Sequence, residues 1–252
     1  MGLSRAYLLV SHGSRDPRPL VEMKRLAQWV AERIPEAAVG TAVLECHPQP
    51  LHRQLLSFVD RLPDFQGVLS IVPLFLLPGV HVKEDIPEEL ALARSQLPEA
   101  VSATVLPYLG SSPQIVNFLA GRAADFPSVR AWVMVSHGSR RPGGNAPVES
   151  LAERLQQHLD RPVRAAYWAV EPNLEHQIVQ LIESGVQSIA ILPYFLCCGG
   201  LTDAIGERVK HLADRFPTVQ FALADPIGAS PELADLVVRV SQCDMLALNR
   251  GL

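Results

Sequence analysis

The strongest constraint on the fold is that the chain repeats itself. The segment LLVSHGSRDPR around His12 returns as VMVSHGSRRPG around His137. Three further matches follow in the same order, pairing 43–51 with 168–174, 72–81 with 192–201, and 106–119 with 224–237. Matches in a conserved order indicate an ancient duplication. We therefore predict two homologous domains, at 1–127 and 128–252.

Each half alternates short apolar or β-branched runs with longer helical patterns, as in parallel sheets built from βα units. Strands are predicted near 6–11, 38–45, 67–74, 100–106, 130–136, 162–169, 188–194 and 218–224. Eight βα units can also close into one barrel. We predict instead an α/β fold of two doubly wound halves, each a four-stranded parallel sheet flanked by helices.

Helices are predicted where apolar residues recur at spacings of three and four. The segment 19–34 shows such a stripe, made of Leu20, Met23, Leu26, Ala27, Val30 and Ile34. Because these side chains share one face of the helix, we expect the whole stripe to be buried.

Composition narrows the class of partner. A chain of 252 residues with 48% hydrophobic and 19% charged residues can bury a substantial core. Its formal net charge of -4 gives no electrostatic reason to expect nucleic acid as a partner. The most apolar stretches are interrupted by proline and glycine and are too short to span a bilayer, so no membrane segment is predicted. Small molecules are the expected partners.

Cysteine usage and the N-terminus predict the compartment. The four cysteines, Cys46, Cys197, Cys198 and Cys243, lack C-x-x-C spacing. Neither a disulfide framework nor a cysteine zinc site is therefore predicted. The N-terminus enters a strand pattern without the longer apolar region and small-residue cleavage site of a secretory signal. We expect a cytoplasmic protein.

Candidate metal ligands fall at the ends of predicted strands. In parallel α/β folds, ligands bind beyond the carboxyl ends of the strands. His12 follows the first strand, Glu45 ends the second, and His81 lies in the loop after the third. Two imidazoles and a carboxylate suit divalent iron, cobalt, nickel or zinc. We predict that His12 and His81 bind a metal and that all three residues take part in catalysis.

Each of these residues also has an ordinary structural explanation. The imidazole of His12 can bond loop backbone, and His81 can be a solvated loop histidine. Glu45 can cap the following helix or pair with Arg53. Their position at the binding edge of the sheet nevertheless favours a functional role for all three residues. The remaining histidines in helical patterns are expected at ordinary surface or boundary positions, namely His52, His158, His176 and His211.

Hydroxyl and basic residues border the same edge. The SHGS turn combines glycine with two hydroxyl residues, a composition suited to presenting backbone N–H groups to an anion. The predicted substrate-binding residues are Ser11, Ser14, Arg15, Lys83, Ser111 and Ser112. Arginine and lysine bind carboxylates and phosphates, so we expect a ligand that carries such groups. Any one of the basic residues is more often a solvated surface charge.

The second half differs at the decisive place. His12 and Glu45 have counterparts in His137 and Glu171, whereas the position that matches His81 is Leu201. An apolar side chain cannot ligate a metal or move a proton. We therefore predict a degenerate site in the second half and one catalytic centre per chain.

Two segments resemble the signature of a known family. LVSHGSRDPR, followed at a distance by VPLFLLPGVHVKEDIP, is similar to the signature of the class II tetrapyrrole chelatases, specifically the sirohydrochlorin chelatases. The resemblance covers nearly the whole chain and is to the long form, in which one polypeptide carries two homologous halves. It implies insertion of ferrous iron, which we favour, or cobalt into sirohydrochlorin, on the route to siroheme or cobalamin. It gives the principal metal and proton-transfer roles to His12 and His81, with Glu45 assisting.

The resemblance also sets expectations about cofactors and assembly. The metal is a co-substrate, so no permanently bound cofactor is expected. Some long chelatases add a histidine-rich segment or a cysteine-rich cluster-binding tail, but this chain ends SQCDMLALNRGL with a solitary Cys243. Neither an iron–sulfur cluster nor a metal-storage tract is therefore expected. Because the short form pairs two subunits that are fused here, the resemblance implies a monomer.

Two other functions fit part of the sequence. A histidine phosphatase or phosphomutase also carries its histidine at a strand end, but there the residue before the histidine would be arginine. In this chain it is Ser11, and Ser136 in the second half, so an important phosphate ligand is absent. A non-catalytic carrier of metal or tetrapyrrole would use the same residues without turnover and stays open as an alternative.

Overall fold

In a computed structural model, the chain is described from residue 5 to residue 248, with side chains to residue 242, and strands alternate with helices throughout. The strands are β1 (Arg5–Ser11), β2 (Ala38–Val43), β3 (Gly67–Pro73), β4 (Val101–Val105), β5 (Ala131–Ser136), β6 (Val163–Tyr167), β7 (Ser188–Pro193) and β8 (Gln220–Leu223). The main helices are α1 (Pro17–Arg33), α2 (Leu51–Asp60), α3 (Ile86–Arg94), α4 (Ile115–Ala123), α5 (Ala146–Leu159), α6 (Leu174–Glu183), α7 (Gly200–Arg215) and α8 (Pro231–Leu248). The side chain of Cys243 lies outside the described residues. All eight predicted strands are confirmed.

The strands form two separate parallel sheets. Their orders are β2-β1-β3-β4 and β6-β5-β7-β8, so the two halves have the same topology. In each sheet the chain steps outward from a central strand, reverses, and continues on the other side. The predicted α/β fold with two doubly wound halves is confirmed, and a single closed barrel is excluded because β4 and β5 belong to different sheets.

Burial follows the pattern of a sheet covered on both faces. Every residue of β1 after Arg5 is buried, and every residue of β5 is buried. Continuous apolar runs of this kind are typical of central parallel strands. Helices α2 and α3 pack on one face of the first sheet through Leu51, Leu55 and Ile86, among others. Their packing leaves the carboxyl edge of the strands to the loops. None of the described helices is both long and apolar enough to cross a membrane.

Helix α1 shows how the sequence sets an element. It begins after Asp16, whose carboxylate accepts a hydrogen bond from the backbone N–H of Arg18, and proline occupies its first turn. The predicted stripe is buried from Met23 to Ile34, as expected. The prediction is wrong for Leu20, which is 49% exposed. Leu20 lies in the first turn, next to the carboxyl end of β1, where the helix has little sheet to pack on.

The compact units do not follow the repeat boundary predicted between residues 127 and 128. One unit combines the segment that ends at Ser112 with the segment that begins at Ala229, and the other spans Pro113–Gly228. Helix α8 therefore belongs with the first sheet and α4 with the second. Sequence similarity marks the ends of a repeat, whereas packing decides where its last helix lies.

Arginines attach both of these helices. In the first unit, Arg33 of α1 donates to the carboxylate of Asp235 at 2.5 Å and to the carbonyl of Pro231, both in α8. In the second unit, the guanidinium of Arg122 in α4 donates to consecutive carbonyls in the segment that follows β8. These acceptors are the carbonyls of Asp225, Pro226 and Ile227, at 2.7, 2.9 and 2.7 Å. Charged donors of this kind form strong hydrogen bonds.

Candidate metal centre

His12 and Glu45 are brought together by a close contact between two loops. The backbone N–H of Glu45 donates to the carbonyl of His12 at 2.8 Å, which extends the pairing of β1 and β2 by one step past the strand ends. Gly13 follows with a φ of +96°, and a Cβ atom there would lie 2.0 Å from the carbonyl oxygen of Glu45. A glycine is required because any side chain would push the two loops apart.

His81 lies in a π-helical turn, His81–Asp85, that leads directly into α3. The sequence predicted a loop at this position, so the ordered turn is a finding of the structure. The backbone N–H of Ile86 donates to the carbonyl of His81 and closes the wide turn. The segment before the turn is held by Gly110, whose N–H donates to the carbonyl of Phe75 and whose Cα approaches Leu76 so closely that a Cβ atom would overlap it.

The three predicted side chains converge. His12, Glu45 and His81 each offer one ligand atom within 4.8 Å of the others, and they are the one such group in the described part of the chain. Nδ1 of His12 lies 3.9 Å from Oε2 of Glu45, and Nε2 of His81 lies 3.9 Å from Oε1 of the same carboxylate. The two imidazole rings meet edge to face, with centroids 4.7 Å apart. The carboxylate thus stands between two imidazoles.

This spacing fits a transition-metal ion. Ligands that are about 2.1 Å from an ion lie about 3–4 Å from each other, so small side-chain movements would close the set around one cation. The side chains of His12 and Glu45 are 54% and 53% exposed, whereas that of His81 is 29% exposed. One flank of the cluster is therefore open. An ion held there would keep coordination positions free for a second ligand.

A pocket opens beside the cluster and is lined by several carboxylates. Its empty volume is about 520 Å³. The lining residues are Leu44, Glu45, Pro50, Leu51, His81, Asp85, Glu88 and Glu89. Glu89 is already bonded to the imidazole of His52 at 2.9 Å, which places His52 in a structural pair, as expected for a helical histidine. Sequence reasoning missed Asp85, whose spacing of four from His81 was the available signal.

The predicted substrate-binding residues take different positions around the site. Ser11 is buried at the end of β1, whereas Arg15 and Lys83 are exposed. The hydroxyl of Ser14 accepts a hydrogen bond from the N–H of Asp16, and that of Ser111 donates to the carbonyl of Tyr108 at 2.6 Å. Ser112, half-buried, follows Ser111 directly. Exposed cations and exposed hydroxyl groups are thus available at the edge where the candidate metal ligands lie.

Two perturbed groups stand close to these residues. Hydrogen bonds from Arg18 hold the pKa of the Asp16 carboxyl below its usual range, so this helix cap is ionised at neutral pH. The guanidinium of Arg18 is engaged by that carboxylate at 2.6 Å. Burial raises the pKa of the Tyr108 hydroxyl, which therefore stays protonated. Among the basic residues of the first loop, Arg15 is the better candidate for an anionic ligand.

The second half lacks counterparts of two of the three candidate ligands. The predicted match of Glu171 with Glu45 is wrong. The backbone N–H that donates to the carbonyl of His137 belongs to Ala169, so Ala169 occupies the place of Glu45. Glu171 lies two residues further on, where its carboxylate accepts hydrogen bonds from the backbone and the side chain of Asn173. The sheet register decides the correspondence, and a shared glutamate in the loop does not. Leu201 replaces His81, as predicted.

Comparison with known proteins agrees with the architecture and the motif. The CbiX family model matches twice, at residues 6–126 and 131–242. The sirohydrochlorin ferrochelatase of Bacillus subtilis is 26% identical over 241 residues, which cover 92% of this chain and 88% of that protein. The sirohydrochlorin cobaltochelatase of Priestia megaterium is 24% identical over 247 residues, covering 92% and 78%.

A solved structure shares the fold over nearly the full length. SirB from Bacillus subtilis with Fe3+ superposes with a TM-score of 0.80 at 25% sequence identity and covers 95% of each chain. The resemblance to the sirohydrochlorin chelatases is thereby confirmed. With a family model that matches both halves, and a histidine, glutamate and histidine cluster at the strand ends of the first, the chain belongs to the CbiX family.

Proposed function

We propose that this chain is a sirohydrochlorin chelatase that inserts a divalent metal, ferrous iron in preference to cobalt, into sirohydrochlorin. The observation that carries the proposal is the convergence of His12, Glu45 and His81 at the open edge of the first sheet. The function of its relatives supports the same reaction. Two relatives that align over 92% of this chain are named for iron in one case and cobalt in the other.

Metal insertion requires chemical groups of the kind found in this cluster. Metal entry displaces two protons from the pyrrole nitrogens, so the protein must hold a partly dehydrated cation and accept protons beside it. Imidazole and carboxylate groups do both near neutral pH. In our proposal His12 and His81 present the ion, and Glu45, between them, takes up protons as the ring nitrogens replace the protein ligands.

The surroundings suit a substrate that has carboxylates on its rim and a broad apolar face. The proposed apolar lining is formed by Leu76, Leu77 and Val80, which are half-buried in the segment before His81. Proposed contacts to the carboxylates come from hydroxyl groups and cations at the same edge, namely Ser14, Arg15, Lys83, Ser111 and Ser112. Ser11 is buried and its carbonyl accepts a hydrogen bond from the N–H of Leu44, so in our proposal it supports the loop that carries His12 and does not touch the substrate.

The proposal includes a monomer without a permanently bound cofactor. The metal is consumed as a substrate, so no resident ion is needed. The two homologous halves within one polypeptide support a monomer, and cysteines without disulfide spacing support a reducing, cytoplasmic setting.

The test is anaerobic incubation of the protein with sirohydrochlorin and either ferrous iron or cobalt, followed through the absorbance of the tetrapyrrole. Wild type should insert at least one metal faster than a protein-free control. His12→Ala and His81→Ala should each lower the rate by about 100-fold or more, because each removes a ligand or proton acceptor. The matched control is His137→Ala, which alters the equivalent histidine of the half without a complete set and should keep the wild-type rate.

Two results would contradict the proposal. If neither metal is inserted faster than without protein, the chain is not a chelatase, and tight metal or tetrapyrrole binding without turnover would identify a carrier instead. If His81→Ala inserts metal as fast as His137→Ala, the cluster is not the site of the reaction.

A further inference from the structure

The first half carries one residue that the second half lacks, between its third strand and the helix that follows. Pro73 and Pro193 end β3 and β7 at equivalent positions, since each pairs with the penultimate residue of the central strand. The helices that follow bury equivalent apolar side chains, namely Ile86, Leu90 and Ala93 in α3 and Ile205, Val209 and Leu212 in α7. Ile86 is 13 residues beyond Pro73, whereas Ile205 is 12 residues beyond Pro193.

The extra residue is absorbed by the π-helical turn. His81–Asp85 is π-helical in the first half, whereas the second half runs as a regular α-helix from Gly200. A wide turn of this kind is the usual result of inserting one residue into a helix, and such turns are frequent at functional sites. Pro87, two positions after the turn, cannot donate a backbone hydrogen bond, so the helix loses little by widening there. The insertion is therefore specific to the half with the complete ligand set.

The turn brings the carboxylate of Asp85 onto the imidazole of His81. Oδ2 of Asp85 lies 2.5 Å from Nδ1 of His81, and the two side chains are 39% and 29% exposed. An ionised carboxylate can only accept, so the proton of a neutral His81 ring must sit on Nδ1. Nε2 then carries the lone pair, and it faces Glu45 at 3.9 Å.

We propose that Asp85 is a positioning residue that fixes the tautomer and the orientation of the His81 ring, so that Nε2 is free to bind the metal. The inference rests on the proposed function. A neutral imidazole that carried its proton on Nε2 could not bind a cation there without first exchanging it. Carboxylates that bond the far nitrogen of a metal-binding histidine are a recurrent arrangement, and their loss costs 10–100-fold in metal affinity or activity, in round figures.

The test measures the tautomer in metal-free protein, where it does not depend on turnover. Long-range nitrogen–proton NMR on the intact chain at about pH 8 distinguishes a protonated Nδ1 from a protonated Nε2. Wild-type His81 should carry its proton on Nδ1. Asp85→Ala should shift it towards Nε2 and weaken cobalt binding by about 10–100-fold. Asp85→Asn, whose amide oxygen still accepts from Nδ1, should keep the wild-type tautomer and most of the affinity.

Glu84→Ala is the matched control, because it removes one carboxylate from the same turn at an exposed position. It should leave both the tautomer and cobalt affinity as in wild type. The proposal is overturned if wild-type His81 carries its proton on Nε2, or if Asp85→Ala and Glu84→Ala give the same tautomer and affinity. It is also overturned if Asp85→Asn binds cobalt as weakly as Asp85→Ala while keeping the wild-type tautomer, since the effect would then be one of charge. If the protein inserts no metal but Asp85 still determines the tautomer of His81 and the affinity for cobalt, only the proposed function is contradicted.

Discussion

At the scale of residues, the site depends on where the backbone of two loops can meet. His12 and Glu45 are held at neighbouring strand ends by one backbone hydrogen bond, and Gly13 permits the approach. The side chains of His12 and Glu45 are themselves half exposed, so packing does little to fix them. Backbone geometry in the turn is therefore as important to the cluster as the ligands are.

Gly13→Ala should disrupt the site and the fold together. The new Cβ atom would overlap the carbonyl of Glu45 in a left-handed conformation that alanine disfavours. We expect a loss of about 2 kcal/mol or more in the free energy of unfolding, together with weaker cobalt binding. Urea unfolding and a cobalt titration measure the two effects.

Gly143→Ala is the control for that substitution. Gly143 also has a positive φ, of +71°, but a Cβ atom there would meet no other atom within 4 Å. It should show only the conformational cost, about 1–2 kcal/mol, with cobalt affinity unchanged. Equal effects of the two substitutions on cobalt affinity would mean that the close approach of the loops is not needed.

The sequence predicted that His12, Glu45 and His81 share one edge of the sheet, because the strand-end rule depends only on local pattern. His12, Glu45 and His81 each follow a strong strand signal, so their common edge could be inferred before their distances were known. The prediction for Glu171 was wrong because two loop segments were aligned by residue type alone, without the register of the strands that precede them. Backbone hydrogen bonds put Ala169 in that place, and such bonds cannot be read from one sequence.

At the scale of elements, the last helix of each repeat packs apart from the strands that precede it in sequence. Helix α4 belongs to the second unit and α8 to the first. The periodicity of these helices predicts their amphipathic faces but not which sheet those faces cover. Specific anchors such as Arg33 and Arg122 settle that choice.

Arg122→Ala should destabilise the second unit through α4. The guanidinium serves three carbonyls in the segment after β8, and truncation leaves them without this donor. Because hydrogen bonds to charged groups contribute about 1.5–3 kcal/mol net, we expect a loss in that range in urea unfolding. Arg130→Ala, at an exposed position nearby in sequence, should change stability by no more than about 0.5 kcal/mol. Similar losses for both variants would show that the anchor is not specific.

At the scale of the whole molecule, the duplication has produced two sheets of the same topology but, among the described residues, one cluster of candidate metal ligands. The second half keeps His137 but has Ala169 and Leu201 at the places of Glu45 and His81, and it lacks the π-helical turn. The asymmetry therefore involves more than the single missing histidine seen in the sequence.

Restoring that histidine should not restore a site. We expect calorimetric titration of the wild-type chain with cobalt to give one strong binding event per chain, and Leu201→His to leave that number unchanged. Two imidazoles alone, without a carboxylate between them and without the positioning aspartate, do not reproduce the ligand cluster of the first half. A second event of comparable affinity, in either protein, would disprove the single-centre prediction.

By itself, the sequence determined the class of fold, the strand positions, the duplication and the three residues of the candidate cluster, because each depends on local periodicity or on the residues that follow a strand. The tertiary structure decided what depends on contacts between distant segments. It set the helix exchange between units, the loss of the Glu45 counterpart, and the π-helical turn that places Asp85 against His81. Those features are settled by backbone register and packing, which couple residues far apart in the chain.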